Sequence, residues 1–285
     1  MKNINFSIIA LFFFSFITFA QEDLLEELDN DLIDDTKVSS VFKGIKIINM
    51  ESTKLAAKED FYFMISHRFG SIKSGIDDLF GLDNSNIRFS FIYGFSEWLT
   101  AGISRSSFNK TYDGHIKYRL FQQEKDGFPF NIVGFNSIEY NTGLKEVNYP
   151  LIENKDRFSY AMELLISRKI NNNLSLQIAP IYLHQNFVEE DTQNNSQFLL
   201  GFGSRYKVSK RITINLEYHA HFNRAENSNF RNPLSLGVDI ETGGHVFQLH
   251  LSNSRLMNEA GYLANSTGEW SKGEIFLGFN IWRVF

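Results

Sequence analysis

The chain has 285 residues, with 28 lysines and arginines against 33 aspartates and glutamates, 43% hydrophobic residues, 29 phenylalanines, 11 tyrosines and no cysteine. Without cysteine there can be no disulfide, no metal–thiolate site and no acylated lipoprotein cysteine. Eight of the acids lie in QEDLLEELDNDLIDD, residues 21–35, and the chain beyond residue 35 is close to neutral, which gives no support to nucleic-acid binding through a basic face.

Residues 1–20 (MKNINFSIIALFFFSFITFA) combine Lys2, an apolar run from Ile8 to Phe19 and a small-residue exit. This predicts a cleavable secretory signal peptide, with export to the envelope. No later run reaches the roughly 18 apolar residues of a membrane-spanning helix, so an exported chain is either soluble or crosses as strands. Residues 21–57 form an acidic periplasmic leader, in which Leu24, Leu25, Leu28, Leu32 and Ile33 have helix-like spacing, and a second stretch, VFKGIKIIN (Val41–Asn49), which alternates. That stretch has three open readings: a plug, a periplasmic cap or an extra wall strand. The acidic leader can also serve as a docking segment for a periplasmic partner.

From residue 58 the pattern has period two. Twelve segments are expected as strands: 58–69, 86–95, 97–107, 110–122, 129–141, 157–168, 173–185, 196–208, 210–222, 231–242, 245–252 and 273–285. In RITINLEYHAHF one side carries Ile212, Ile214, Leu216, Tyr218 and Ala220, and the other Thr213, Asn215, Glu217, His219 and His221. Strand is the regular structure that separates such sets. Most segments run ~10 residues or more, the length a tilted strand needs to cross hydrocarbon. Connections after even strands are short (FSEW, VSK, TGG) and most after odd strands are long, as in SIKSGIDDLFGLDNS and NSRLMNEAGYLANSTGEWSK. FNK after the third strand is the exception. The fold predicted is all-β: a closed antiparallel transmembrane β-barrel over 58–285, of about 12 strands (10–14), with short periplasmic turns and long external loops. Its environment is the lipid bilayer of the cell outer membrane. The terminal strand IFLGFNIWRVF, ending at Phe285, must pair with the first strand and resembles the signature read by barrel-assembly machinery.

The phrases SHRFGSI, YDGHIKYRL, LQIAPIYLHQN, DIETGGHVFQLHLSNS and FLGFNIWRVF resemble an uncharacterised Bacteroidota β-barrel family recorded as domain of unknown function 5777. The resemblance runs from about Val38 to the end. It implies a β-barrel envelope protein and carries over no catalytic residue.

With the apolar set facing lipid, the polar set lines the lumen and includes Arg88, Asp113, His115, Lys117, Arg119, Glu163, Arg205, Glu217, His219, His221, Asp239, Gln248 and His250. These support three roles: a salt-bridge lining, a narrow porin-like channel, or a pocket for a small solute. Glu217, His219 and His221 share one strand face at ~6.5–7 Å spacing, which permits a zinc-type site if a further ligand joins. His115, between Asp113 and Lys117, has the makings of an acid or base. No nucleophile elbow, phosphate loop or HExxH motif accompanies it, so neither a cofactor nor an enzyme is indicated. The loop bearing Asp77, Asp78, Leu79 and Phe80 is expected either as a short helix over the barrel mouth or as a packed loop at the rim.

Overall fold

A computed structural model describes residue 38 and residues 41–188, 192–242 and 245–285. The predicted signal peptide and the acidic stretch 21–35 lie outside these. Twelve strands run in chain order: β1 Phe61–Ser71, β2 Ser85–Ser96, β3 Leu99–Ser106, β4 Thr111–Phe121, β5 Asn131–Asn141 and β6 Phe158–Lys169 form the first half. The second half is β7 Leu174–Gln185, β8 Ser196–Lys207, β9 Ile212–His221, β10 Leu234–Thr242, β11 His245–Ser252 and β12 Phe276–Val284. Each pairs antiparallel with its neighbours, and β12 returns to β1, so the sheet is a closed barrel. All twelve expected segments are strands. At the seam the Phe61 and Phe285 backbones exchange hydrogen bonds of 3.2 and 2.9 Å, which leaves no free edge. Among the described residues no helix is long and apolar enough to cross a membrane.

The alternation works as predicted. On β9, Ile212, Ile214, Leu216 and Tyr218 point outward and stay exposed, while Glu217 and His219 are fully buried inside. A soluble barrel would invert that arrangement, whereas a wall against hydrocarbon requires it. Aromatic side chains gather on the outer face towards both ends. Phe61, Phe63, Phe89 and Phe91 form a ladder with neighbouring centroids 5.3–6.3 Å apart. At the long-loop end Tyr140 meets Phe158 at 5.0 Å. Such girdles mark the boundaries of the apolar band.

The lumen is less uniformly polar than the alternation predicts. On β5–β8, Val133, Phe135, Ala161, Leu165, Ala179, Ile181, Leu183 and Leu199 are buried and apolar on the inner side. They form one cluster with Val41, Phe42, Ile47, Met50 and Leu55 from ahead of β1 and with Ala260, Tyr262 and Leu263 from the β11–β12 connection. A wall facing only water would leave those side chains unpartnered. Here they meet two segments of the same chain, so part of the interior is a dry core.

Of the three readings of Val41–Asn49, the plug is the one observed. Val38 N–H donates to the Gln123 carbonyl in the β4–β5 turn, and Ala56 N–H donates to Thr100 Oγ1 at the start of β3. The segment therefore enters and leaves at the short-turn end. Conversely, 72–81 is a kinked 3₁₀ run packed along β1 and β12, with Ile76 and Phe80 exposed, so it reinforces the rim. The connection that does fold inward is 253–266, with helix α1 at Glu259–Ala264, all of whose residues are buried.

The exit of the plug passes tightly over β2. A Cβ built on Gly94 would lie 1.8 Å from the Ala57 carbonyl oxygen, and Gly94 also exchanges backbone hydrogen bonds with Glu59 and Asp60. Backbone on both sides leaves nothing flexible to yield. Gly94→Val is expected to cost about 1–3 kcal/mol, the usual range for overpacking, and a urea midpoint equal to wild type would contradict this close approach.

Candidate functional site

The plug is built around a hairpin. Lys46 and Glu51 bridge its arms, Ile47 N–H donates to the Met50 carbonyl (2.8 Å) and Ser52 N–H to the Ile45 carbonyl (2.9 Å). A turn this tight cannot satisfy its own tip, and buried N–H groups need acceptors. The wall supplies one. The Glu217 carboxylate accepts from the backbone N–H groups of Ile48 (3.1 Å), Asn49 (3.0 Å) and Met50 (2.9 Å), and from Asn49 Nδ2 (2.9 Å). The tip carbonyls are met in turn: Gln248 Nε2 donates to Ile47 O (2.6 Å) and Asn280 Nδ2 to Ile48 O (3.1 Å). Arg68 donates to Asn49 Oδ1 (2.8 Å) and to Asn280 Oδ1 (3.0 Å). On the far wall Gln177 binds both Thr53 N–H and the Glu51 carbonyl, and Thr53 Oγ1 lies 2.5 Å from Ser167 Oγ.

Charge is organised about the same segment. Lys117 Nζ sits 2.6 Å from Glu51 and donates to the carbonyls of Ile45 and Ser52, both at 3.1 Å. Lys46 pairs with Glu51 at 2.5 Å and with Glu259 of α1 at 3.2 Å. Burial alone would push the Glu51 carboxyl up, but the ammonium groups of Lys117 and Lys46 outweigh it and hold the group below the usual carboxylate range. Burial likewise opposes the Lys46 charge, and Glu259 and Glu51 reverse that, holding its ammonium above its ordinary value. Glu51 and Lys46 each have two opposite charges as neighbours, which favours their ionised forms.

The inward loop is held from the other end. Glu139 accepts from Asn258 Nδ2 (2.6 Å) and Ala260 N–H (3.0 Å). Arg88 donates to the Met257 carbonyl and pairs with Asp113 at 2.6 Å. Glu163 lies buried beside Glu259. The two fillers therefore meet at Lys46–Glu259. Across the hairpin, the inward loop and the wall facing them, Ile48, Met50, Glu217, His219, Gln248, Tyr262 and Asn280 have no exposed surface.

The predicted lumen residues divide among several roles. Lys117, Glu217 and Gln248 touch the hairpin directly, whereas Arg88 and Asp113 belong to the support of the inward loop. Arg205 pairs with Glu241 at 3.5 Å, and Arg119 donates to Gln122 at 3.3 Å. The histidines pack and do not converge. His115 lies against Phe135 (5.5 Å), His219 edge-on to Tyr262 (5.3 Å), and His250 is buried near Arg68. His221 Nε2 meets Gln197 Oε1 at 2.8 Å. Glu217, expected as a metal ligand with His219 and His221, spends its carboxylate on the hairpin. Among the described residues no group of three or more His, Asp or Glu side chains is placed to hold a metal ion. Sequence reasoning misses Lys46, Glu51, Asn49, Arg68, Glu139, Glu259 and Asn280. The available signal is β7, LSLQIAPIYLHQ, whose central residues are apolar on both faces and so require a partner inside.

Three solved structures of similar architecture are distant in sequence. The NanC porin is 9% identical with a TM-score of 0.49, the alignment covering 79% of this chain and 98% of that one. The KdgM porin is 10% identical with a TM-score of 0.47, covering 79% and 99%. An outer-membrane channel from Pseudomonas putida F1 is 12% identical with a TM-score of 0.44, covering 81% and 97%. No curated protein sequence matches the chain. The family of the membrane-bound β-barrel domain (DUF5777) matches residues 42–285, a span that takes in the hairpin, the inward loop and every strand. The chain belongs to that family of membrane-bound β-barrels.

Proposed function

We propose that the protein is an outer-membrane channel held shut by its own N-terminal hairpin, and that small polar solutes pass when the hairpin leaves the lumen. The long loops would face outward and the hairpin would withdraw towards the periplasm, since both its ends lie at the short-turn end. The observation that carries this reading is the way the tip is held. Its three successive N–H groups and its carbonyls are bound by wall side chains, Glu217, Gln248 and Asn280, and by no wall backbone among the described residues. Withdrawal would leave every ladder of the barrel intact and uncover polar groups suited to a wet passage. A sealed structural barrel is the competing reading, favoured by the apolar cluster around Phe42 and Leu55.

A reversible lock separates the two. The chain has no cysteine, so Thr53→Cys with Ser167→Cys introduces a single pair where the native hydroxyls touch. In planar bilayers the oxidised protein is expected to be silent and the reduced protein to show openings. Equal traces before and after reduction would refute hairpin gating, and silence in both states would leave the sealed barrel.

A further inference from the structure

We propose that the outer wall between β3 and β5 carries a lipid-binding site, in which a groove floored by Gly114 takes an acyl chain and Arg105 binds an anionic phosphate headgroup. Strand register creates the groove. Phe91, Ile103, Gly114 and Ile138 stand opposite one another across β2–β5, so the missing side chain at Gly114 opens a trough between two isoleucines. The adjacent row towards the long-loop end is Arg105, Tyr112, Tyr140 and Phe158. The resulting hollow has a volume of about 480 Å³ and an almost wholly apolar surface.

Charge selects the occupant. Arg105 lies one residue from the end of β3, its guanidinium 5.4 Å from the Tyr112 ring centroid, and it pairs with no carboxylate among the described residues. A cation fixed against an aromatic ring at the edge of the apolar band sits at headgroup depth. A planar guanidinium there matches phosphate oxygens by two hydrogen bonds. The trough below it faces hydrocarbon, where a polar solute has no reason to go and an acyl chain fills space that straight lipid packing would leave empty. The site stands apart from the lumen and holds whether or not the channel opens.

The test uses the full-length protein in detergent micelles, with diphosphoryl lipid A and its dephosphorylated form as probes and native mass spectrometry as the readout. Both variants change only the lipid-facing wall. Arg105→Gln removes the charge. Gly114→Leu fills the trough from its floor, where a Cβ meets nothing closer than 4.0 Å. The wild-type protein is expected to retain the phosphorylated probe about tenfold better than the dephosphorylated one, the scale of one charge-assisted contact. Arg105→Gln should abolish that preference, and Gly114→Leu should weaken retention of both probes. A wild-type protein without preference for phosphate, or either variant matching wild type, would overturn the assignment.

Discussion

Glu217→Ala is expected to free the hairpin from the wall, at a cost of about 3–5 kcal/mol, the range for breaking a buried charged contact by removing one partner. The Glu217 carboxylate accepts from three consecutive N–H groups, and each one orphaned in a buried site costs about 1–3 kcal/mol. A hairpin that leaves its site meets those groups' needs with water, so the variant should open rather than unfold. Trp282 reports this directly. It is buried on the inner side of β12, in one cluster with Ile45 and Ala56 of the plug, while Trp98 is 58% exposed. In a background with Trp98 and Trp270 replaced by phenylalanine, Glu217→Ala should make Trp282 accessible to an aqueous quencher and raise channel activity. If Trp282 remains as shielded as in the parent, the carboxylate does not hold the plug.

Lys117→Met is expected to be the most damaging change of a wall cation. Lys117 is fully buried, and its ammonium serves Glu51 and the carbonyls of Ile45, Ser52 and Lys54. Its loss leaves Glu51 facing Lys46 alone in a dry interior and should cost about 3–5 kcal/mol. The double variant Lys117→Met with Glu51→Gln should recover part of that loss, because the uncompensated charge is then removed with its partner. Four urea midpoints give the coupling, expected at about 0.5–3 kcal/mol for groups in contact. Strict additivity would show that Lys117 acts on the plug through something other than Glu51.

The wall is legible in the sequence because period-two alternation is a local signal. Ile212 to His221 declare their two faces without reference to any other strand, whereas the middle of β7 is apolar on both faces and declares only that it is strand. The contents of the barrel are not legible, because what identifies them is non-local. Val41–Asn49 alternates like a strand, yet the side chain that secures its tip, Glu217, lies 168 residues from Asn49. No periodicity within the hairpin encodes that distance. Glu217 is itself visible, but its place beside His219 and His221 suggests a ligand, since spacing records what shares a face and not what is already bound there. The 253–266 loop reads as external because it connects two strands at the long-loop end. Its Leu256, Met257, Tyr262 and Leu263 are too apolar for a solvated excursion, and together with the two-sided apolarity of β7 they are the trace of an interior that has to be filled.

Arg68 has one consequence for the barrel as a mechanical object. Its guanidinium stands on β1 and grips Asn280 on β12 with one nitrogen and the hairpin's Asn49 with the other. The joint where the two ends of the sheet are sewn together thus carries a clasp of its own, to which the stopper adds a second hold through Asn49. With the stopper drawn out, the backbone ladder between β1 and β12 and the bond from Arg68 to Asn280 would still hold the joint closed.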